Sequence, residues 1–397
     1  MLFRWAVIAF IVLLPSYLLR FKIGPLPTTV LEAVFGLIFL IWLIQYSRKD
    51  WPILVSVIKA HKFLFVCIGL FFIASISSIF ISDMPIPSLG QWRAYFLEPI
   101  ILFLILVAHK NEIKFKDLMW GLGLSTLSIS IYCIVQEFTG WGIATPEWTA
   151  LATRRATAFF SSPNAVGLYL APVLILMVSL LYKKFRFSFF LIAVFSAVAL
   201  VFTKSRGAWV AAAVSLVVFL FLVGYKKIAV AIAAVAVVGA LGVLVIHPIN
   251  LDKSTQNRVT LWRYSTTFLT QSPKNFIFGT GIRQFFRKIQ KPYYNDKVME
   301  RLIYPHNIFL NFWTEIGLVG MLAFMGILGY GFYLAQKIRK YDKIIGAGLV
   351  CVLATLVIHG LVDVPYFKND LAMLFWVLIF TILLVYESLR QSQTHGV

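Results

Sequence analysis

The chain has 397 residues, of which 60% are hydrophobic and only 13% are charged, whereas a soluble domain carries about a quarter charged residues. This composition excludes a soluble globular fold, and the apolar runs lack the alternation of polar and apolar residues that membrane β-barrels show. The net charge of +20 would suggest nucleic-acid binding in a soluble protein. In a membrane protein it follows from the excess of Lys and Arg in cytoplasmic loops, so we expect no nucleic-acid partner.

Apolar runs of about 17 to 25 residues are long enough to cross a bilayer. The sequence therefore predicts an all-α polytopic membrane protein with about twelve transmembrane helices. The first predicted span contains Pro15, the fourth carries Glu98, which we expect to pair with a neighbouring helix, and residues 187–224 can be divided in more than one way. The approximate spans are 4–20, 27–46, 63–81, 94–108, 118–137, 165–182, 187–203, 207–224, 226–246, 307–335, 344–362 and 370–387.

The Lys and Arg residues indicate the orientation. When alternate connections are assigned to alternate sides, 18 of the 36 Lys and Arg residues lie on one side, eight lie in short loops of the other, and ten lie in the long segment 247–305. The positive-inside rule then predicts that both termini are cytoplasmic and that segment 247–305 is extracytoplasmic. The expected divisions are 1–246 with helices 1–9, 247–305 as a large loop with amphipathic helices, and 306–397 with helices 10–12 and a short cytoplasmic tail.

Two short outward connections carry arginines where few are expected. In "TKSRGAWV", Arg206 offers a planar fork of donors for phosphate oxygens, although it is also placed to reach lipid headgroups. In "ATRRATAFFSSPNAVGLYLAP", Arg154 and Arg155 precede Pro163 and Asn164, which suit a helix start. A helix N-terminus attracts anions, and a simply capped helix start is the alternative.

The long segment contains "NRVTLWRYSTTFL", which has the spacing of an amphipathic helix. Four of its residues are predicted to share a face: Val259, Trp262, Thr266 and Leu269. The helix either lies on the membrane surface or covers a pocket with Arg258 pointing inward. The stretch "FGTGIRQF" follows, and its Gly-x-Gly is typical of a turn.

Polar residues in "YPHNIFLNFWTEIGLVG" are costly inside a membrane and are therefore functional candidates. His306 stands at the outer end of the tenth span and is suited to accept a proton, although a structural histidine is the alternative. Asn307 is expected to cap the helix, and Glu315 lies about two turns deeper. In "IHGLVDVPYF", His359 and Asp363 are one turn apart and are expected to pair.

The motifs occur in one order on the twelve-span frame, and together they resemble the O-antigen ligase and polymerase superfamily. The resemblance covers residues from about 150 to 385 and is carried by "SPNAVGLYLAP", "TKSRGAWV", "NRVTLWR", "FGTGIRQF" and "HNIFLNFWTEIGLVG". Members commonly have a glycine where this chain has Asn257, and a Gly-Thr-Phe-Gly-Asn run where it has residues 158–162.

The resemblance implies a GT-C-like glycosyltransferase of the bacterial inner (cytoplasmic) membrane that acts in cell-surface polysaccharide synthesis. The donor would be a glycan on a polyprenyl (undecaprenyl) diphosphate, and the acceptor a hydroxyl on lipid A–core or another glycan at the periplasmic or outer face. His306 would deprotonate the acceptor, and no metal or cofactor is expected. The residues expected to bind the diphosphate are Arg206 and Arg258. Further candidates for this role are Arg154, Arg155 and Arg263. Supporting residues are Asn164, Asn307, Glu315, His359 and Asp363.

Three alternatives remain open. The motifs do not separate a ligase from an O-antigen or exopolysaccharide polymerase. A transporter of an anionic lipid-linked substrate would be expected to show paired inverted repeats, and no such symmetry is visible. A structural membrane protein with lipid-binding basic loops would tolerate lysine in place of arginine, whereas a bidentate phosphate site would not.

Overall fold

The computed structural model describes residues 2–24, 26–184, 186–246, 253–295 and 300–394. The described chain is mostly helical, which confirms an all-α polytopic membrane fold. The α-helices are α1 Leu2–Val12, α2 Val30–Gln45, α3 Ser47–Ala60, α4 Lys62–Ile81, α5 Pro85–Trp92, α6 Glu98–Ala108, α7 Phe115–Thr139, α8 Pro163–Lys183, α9 Phe187–Phe202, α10 Arg206–Val223, α11 Lys226–Ile246, α12 Lys253–Thr270, α13 Pro273–Phe278, α14 Ile308–Tyr341, α15 Lys343–Gly360 and α16 Asn369–Thr394. The strands are β1 Arg20–Ile23 and β2 Leu26–Thr29, and they pair antiparallel.

Several helices are long enough to cross a bilayer. Within the described residues eight meet the requirements of length and apolarity, and α2 with α3 forms a ninth candidate that is bent by 97°. The shorter apolar helices α1 and α9 coincide with two more predicted spans. Residues 187–224 divide into α9 and α10 at the Ser205–Arg206 step. The total of twelve spans stays a prediction.

The first predicted span is wrong beyond Val12. A proline inside a helix removes a backbone donor and clashes with the preceding turn, and here Pro15 enters a 3₁₀ turn at 14–18 instead. The chain then forms the β1–β2 hairpin, which the sequence did not predict. Strand β2 leads into α2 through a capping box, in which the Thr29 side chain accepts from the Glu32 N–H and the Glu32 carboxylate accepts from the Thr29 N–H.

The fourth predicted span starts nine residues early, at Pro85, and passes through a π-helical turn at 93–97. Glu98 does not pair with a neighbouring helix as expected. Its partner is Arg93, on its own segment, at 3.2 Å. Arg93 in turn donates to Glu32 at 2.9 Å and so links this segment to α2. The π turn brings Arg93 and Glu98 to the same side of their segment. A regular α-helix, with 3.6 residues per turn, would point these two side chains in different directions.

Helix α16 is deeply buried and packs against α6, α14 and the 3₁₀ turn at 14–18. Every residue from 370 to 385 is buried, including Trp376, which is fully enclosed. Helix α8 is similarly enclosed and packs against α9, α10 and α15. Helix α11 contacts α10 and exposes most of its described apolar side chains. The bundle therefore has a packed centre and an apolar rim that suits lipid.

Charged pairs mark one end of the bundle. His61 contacts Glu387 at 3.0 Å, Lys110 contacts the same carboxylate at 2.8 Å, and Arg4 pairs with Asp117. We call this the inner end. At the opposite end, helices α4 and α15 terminate and helices α8, α10, α14 and α16 begin. We call it the outer end, and the sequence motifs collect there.

Candidate active site

His306 is held at the outer end immediately before α14. Asn307 caps the helix by accepting from the N–H groups of Phe309 and Leu310, each at 3.1 Å. Its side-chain amide also donates to the carbonyl of Leu361 after α15, at 3.1 Å. His306 itself has a φ of +52°, a conformation that costs energy for a residue with a Cβ. The cap and its link to α15 fix the direction in which the imidazole points.

The imidazole of His306 lies against Asp363. The Nδ1 and Oδ1 atoms are 3.3 Å apart, and the side chains are 21% and 9% exposed. Burial raises the pKa of Asp363, but the hydrogen bond from His306 and the interactions with His306 and His359 outweigh it. The pKa therefore lies below its ordinary range, and the carboxylate is ionised. An ionised carboxylate favours the proton on Nδ1, which leaves Nε2 of His306 as the acceptor.

His359 is buried beside this pair. A Cβ on Gly207, near the start of α10, would lie 3.1 Å from Cδ2 and 3.2 Å from Nε2 of His359. A larger residue at position 207 would require the histidine to shift by a few tenths of an ångström. The charge of Arg258 also acts on His359. His359 and Asp363, which were expected to pair, share no hydrogen bond, and Asp363 bonds to His306 instead.

Three arginines form what we call the arginine cluster: Arg155, Arg206 and Arg258. Arg206 is the first residue of α10, whose N-cap residue makes no side-chain cap. Arg258 projects from α12, and its Nε is buried without a hydrogen-bond partner among the described residues. Burial, and to a smaller extent the charge of Arg206, lowers the pKa of Arg155. These electrostatic interactions, together with the approach of Gly207 to His359, indicate that the three guanidinium groups lie in one region with His359 and the His306–Asp363 pair.

Arg155 forms hydrogen bonds with two motifs, the one that contains Arg206 and the one that begins α8. Its Nε donates to the carbonyl of Thr203 at 3.0 Å, just before the Ser-Arg-Gly turn. Its Nη2 donates to Asn164 at 3.2 Å, at the start of α8. The guanidinium also lies 5.6 Å from the Trp148 ring. Arg155 therefore joins two loops that are about 40 residues apart in sequence and contributes charge to the same region.

The remaining two predicted arginines are not brought into the cluster. Arg154 is occupied by backbone carbonyls, since it donates to Thr149 at 3.0 and 2.8 Å and to Glu137 at 2.7 Å. Arg263 lies on a different side of α12 from Arg258 and lines a separate surface groove. The structure gives Arg154 a role in fixing its loop and places Arg263 in the lining of a separate groove.

Glu315 occupies a second polar position, on α14 near a break in the helix. Its carboxylate is 1% exposed and accepts from the backbone N–H of Arg283 and from Gln91 at 3.4 Å. Gly317, two residues later, has a φ of +77° and interrupts the helix. The freed carbonyl of Thr314 accepts from the N–H of Thr280 at 2.6 Å. Glu315 thus anchors the Gly-Thr-Gly segment.

Helix α12 positions Arg258, and its predicted face is only partly correct. Its buried residues are Leu261, Ser265 and Leu269, whereas Val259 is 48% exposed. Trp262 is half-buried, and its Nε1 donates to the carbonyl of Pro305 at 2.9 Å, immediately before His306. The helix is therefore docked onto the loop that carries the histidine.

Part of the chain matches a known family model. Residues 191–325 match the O-antigen ligase family model. The match covers about a third of the chain and includes Arg206, Arg258, His306 and Glu315. It confirms the resemblance carried by the motifs. The match indicates a ligase- or polymerase-type membrane enzyme and, in general, a lipid-linked glycan as substrate. A search of curated proteins finds no match.

The sequence reasoning missed three polar residues near these O-antigen ligase motifs. Arg283 has a φ of +66° and supports Glu315. Asn311 and Asp370 are fully buried, and their side-chain oxygens have no hydrogen-bond partner among the described residues. Arg283 belongs to the stretch "FGTGIRQF", whose Gly-x-Gly pattern predicts only a turn. Asn311 and Asp370 were visible as polar residues at or near predicted spans, which is the signal that could have identified them.

Proposed function

We propose that the protein is a membrane glycosyltransferase of the O-antigen ligase type. It moves a glycan from a polyprenyl diphosphate carrier to a hydroxyl acceptor on the extracytoplasmic side of the bacterial inner membrane. The acceptor is lipid A–core or another surface glycan. The reaction inverts the anomeric centre and requires no metal ion.

The His306–Asp363 pair beside the arginine cluster carries this proposal. A general base and several fixed cations at one end of a membrane bundle suit a reaction in which a hydroxyl loses a proton and a diphosphate departs. Neither part alone would be specific, because buried histidines and lipid-facing arginines have structural roles as well. The base and the cations come from four separate places: α10, α12, the start of α14 and the loop after α15. Because all four meet at one end of the bundle, a catalytic role is the best-supported interpretation.

The bond changes balance without a cofactor. The acceptor hydroxyl gives its proton to Nε2 of His306, while Asp363 stabilises the resulting imidazolium. The acceptor oxygen forms a bond to the anomeric carbon from the face opposite the carrier. The bond between that carbon and the phosphate oxygen breaks, and its electron pair leaves with the polyprenyl diphosphate. Attack from the opposite face inverts the anomeric configuration.

The arginine cluster stabilises the departing diphosphate. Arg206 and Arg258 present planar donor forks that match phosphate oxygens in pairs. The N-terminus of α10, whose N-cap residue makes no side-chain cap, adds the positive end of the helix dipole. Arg155 contributes charge from the side of α8. Fixed cations of this kind lower the barrier because they are already in place when charge develops on the leaving group.

A reconstituted assay tests the function. Purified protein in nanodiscs is given a radiolabelled polyprenyl diphosphate glycan and a hydroxyl acceptor, and both the glycosylated acceptor and the released carrier are measured. We expect equal amounts of the two products, the inverted anomer by NMR, and an unchanged rate in EDTA. Movement of intact donor across the bilayer without cleavage would instead identify a transporter. Chain growth from donor alone would identify a polymerase.

A further inference from the structure

A second polar concavity lies on another side of α12. It is a groove of about 670 Å³, and its described lining residues include Lys253, Asn257, Arg263, Tyr264 and Tyr293. Tyr293 comes from the short 3₁₀ turn at 291–293, so two separate parts of the extracytoplasmic segment form the groove. The candidate active site does not use any of these five residues.

The aromatic wall of the groove is ordered by packing. The rings of Tyr264 and Tyr293 stack with centroids 4.2 Å apart and an angle of 17° between their planes. Tyr293 is nevertheless 50% exposed. Arg263 lies 5.8 Å from the Tyr264 ring. The stacked pair therefore presents a rigid surface with two hydroxyls and a neighbouring cation, rather than two mobile side chains.

The groove is separate from the arginine cluster but connected to it through α12. Arg263 follows Arg258 by five residues, which places it about 140° further around the helix. A helix with its side chains is about 10 Å across, so the groove and the cluster are on different sides of one element. Trp262 joins α12 to the backbone beside His306. An extended substrate passing over α12 could occupy both places.

The lining has the chemistry of a carbohydrate site. Sugar rings have an apolar C–H face that packs on aromatic rings, and hydroxyls that both donate and accept hydrogen bonds. The amide of Asn257 and the tyrosine hydroxyls also donate and accept. Lys253 and Arg263 add two positive charges, and none of the described lining residues is acidic. A lipid headgroup would need the cations only, whereas a stacked aromatic wall favours a sugar.

We propose that this groove binds an acidic stretch of the glycan chain, some sugar units away from the sugar that reacts. The inference rests on the proposed function, because it makes the groove an extension of the glycosyltransferase site. The groove selects for longer or acidic glycans, while the arginine cluster holds the diphosphate.

Direct binding tests the groove independently of catalysis. The probe is the surface polysaccharide of the cells that make the protein, released from its lipid by mild acid and separated into chains of one, two and four repeat units. Titration into full-length protein in nanodiscs is followed by calorimetry. We expect the four-repeat chain to bind, with roughly three- to tenfold weaker binding for Tyr293→Ala and for Arg263→Ala. Arg287→Ala removes an exposed charge of the same segment outside the groove and should bind as the wild type does.

Several outcomes would overturn the assignment. Unchanged binding of the four-repeat chain by Tyr293→Ala would show that the groove is not its binding site. Equal binding after the acidic groups are reduced to alcohols would show that the groove does not prefer acidic glycans. Loss of the signal in lipid-free detergent, together with binding to anionic vesicles that requires Arg263, would identify a headgroup site.

Different results would contradict the proposed glycan transfer and the proposed glycan-binding groove. His306→Ala should abolish transfer yet still bind the delipidated four-repeat chain. Tyr293→Ala should transfer a single-repeat donor at the wild-type rate and lose the lower KM that a four-repeat donor gives the wild type. If no variant transfers glycan but the calorimetric pattern holds, the groove stands and the proposed reaction is wrong.

Discussion

His306 is held in a backbone conformation that a residue other than glycine rarely adopts. Its φ of +52° costs roughly 1–3 kcal/mol, which the surrounding contacts must offset. The Asn307 cap, the link from Asn307 to Leu361 and the bond from Trp262 to Pro305 do so. Lys204, beside the Ser-Arg-Gly turn, has a φ of +50°. Strain at two residues that flank one polar region is typical of a functional site.

Asp363 should act through His306. In a transfer assay, Asp363→Asn keeps the size of the side chain but removes the charge that orients and stabilises the imidazole. We expect kcat to fall by about 10²-fold or more with little change in KM, because the proton transfer occurs in the transition state. His306→Ala combined with Asp363→Asn should be no slower than His306→Ala alone. Multiplied losses in the double variant would show that the two residues act separately.

The arginine cluster should distinguish guanidinium from ammonium. Arg206→Lys and Arg258→Lys keep the charge but lose the paired donors, and each is expected to slow transfer by at least about tenfold. The matched control is Arg287→Lys, at an exposed residue of the same segment 247–305 that carries Arg258. A lysine variant of the cluster that worked as well as this control would mean that only net charge is needed, as in a lipid-headgroup contact.

At the scale of elements, the Gly-Thr-Gly segment is docked onto the break in α14 by backbone contacts. A Cβ on Gly279 would lie 2.4 Å from the Thr314 carbonyl oxygen, and one on Gly317 would lie 2.3 Å from the Ile277 carbonyl oxygen. Both glycines also have positive φ. The two segments can approach each other only because neither has a side chain at these points, and this contact positions Glu315.

Gly317→Ala should therefore destabilise the protein. The new methyl group has to displace backbone and strain the positive φ, so we expect a clear fall in Tm measured by intrinsic fluorescence in detergent. Gly329→Ala, on the same helix, meets nothing within 4 Å and should leave the Tm unchanged or slightly higher. Equal Tm values for the two variants would contradict the proposed docking.

The sequence predicts an element correctly when its structure depends on residues that are close together in the chain. The Asn307 cap and the helix at α12 follow from residues a few positions apart, and both are present. Two residues of the predicted α12 face, Val259 and Thr266, are exposed, because the buried stripe runs through Leu261 and Ser265 to Leu269. The choice between this stripe and the predicted face depends on Phe285 and Ile289, which pack against Leu261 from a distant part of the chain. The Gly-x-Gly stretch was underestimated for the same reason, since its partner is α14.

At the scale of the molecule, charged pairs of the described residues lie at both ends of the bundle. The His306–Asp363 pair lies at one end and the His61–Glu387 pair at the other. Apolar helices could be predicted from composition because the bilayer requires long hydrophobic runs. The His306–Asp363 contact could not, because the two residues are 57 positions apart and meet only when α14 and α15 pack.

Orientation in the membrane can be tested with single cysteines. Lys274→Cys lies in the segment after α12 and Lys116→Cys at the start of α7, and both positions are exposed. The three native cysteines are buried. We expect a membrane-impermeant maleimide to label Lys274→Cys in intact spheroplasts and Lys116→Cys only after permeabilisation, as the positive-inside rule requires. The reverse pattern would place the candidate site on the cytoplasmic side.

The central claim is that one outer site combines an imidazole base with guanidinium groups that hold the leaving diphosphate. Transfer of labelled glycan from a polyprenyl diphosphate, measured with purified His306→Ala in nanodiscs, tests it most directly. We expect the rate to fall by about 10²- to 10⁴-fold, while the folded protein still inserts and binds donor. Transfer at the wild-type rate by His306→Ala would contradict the claim.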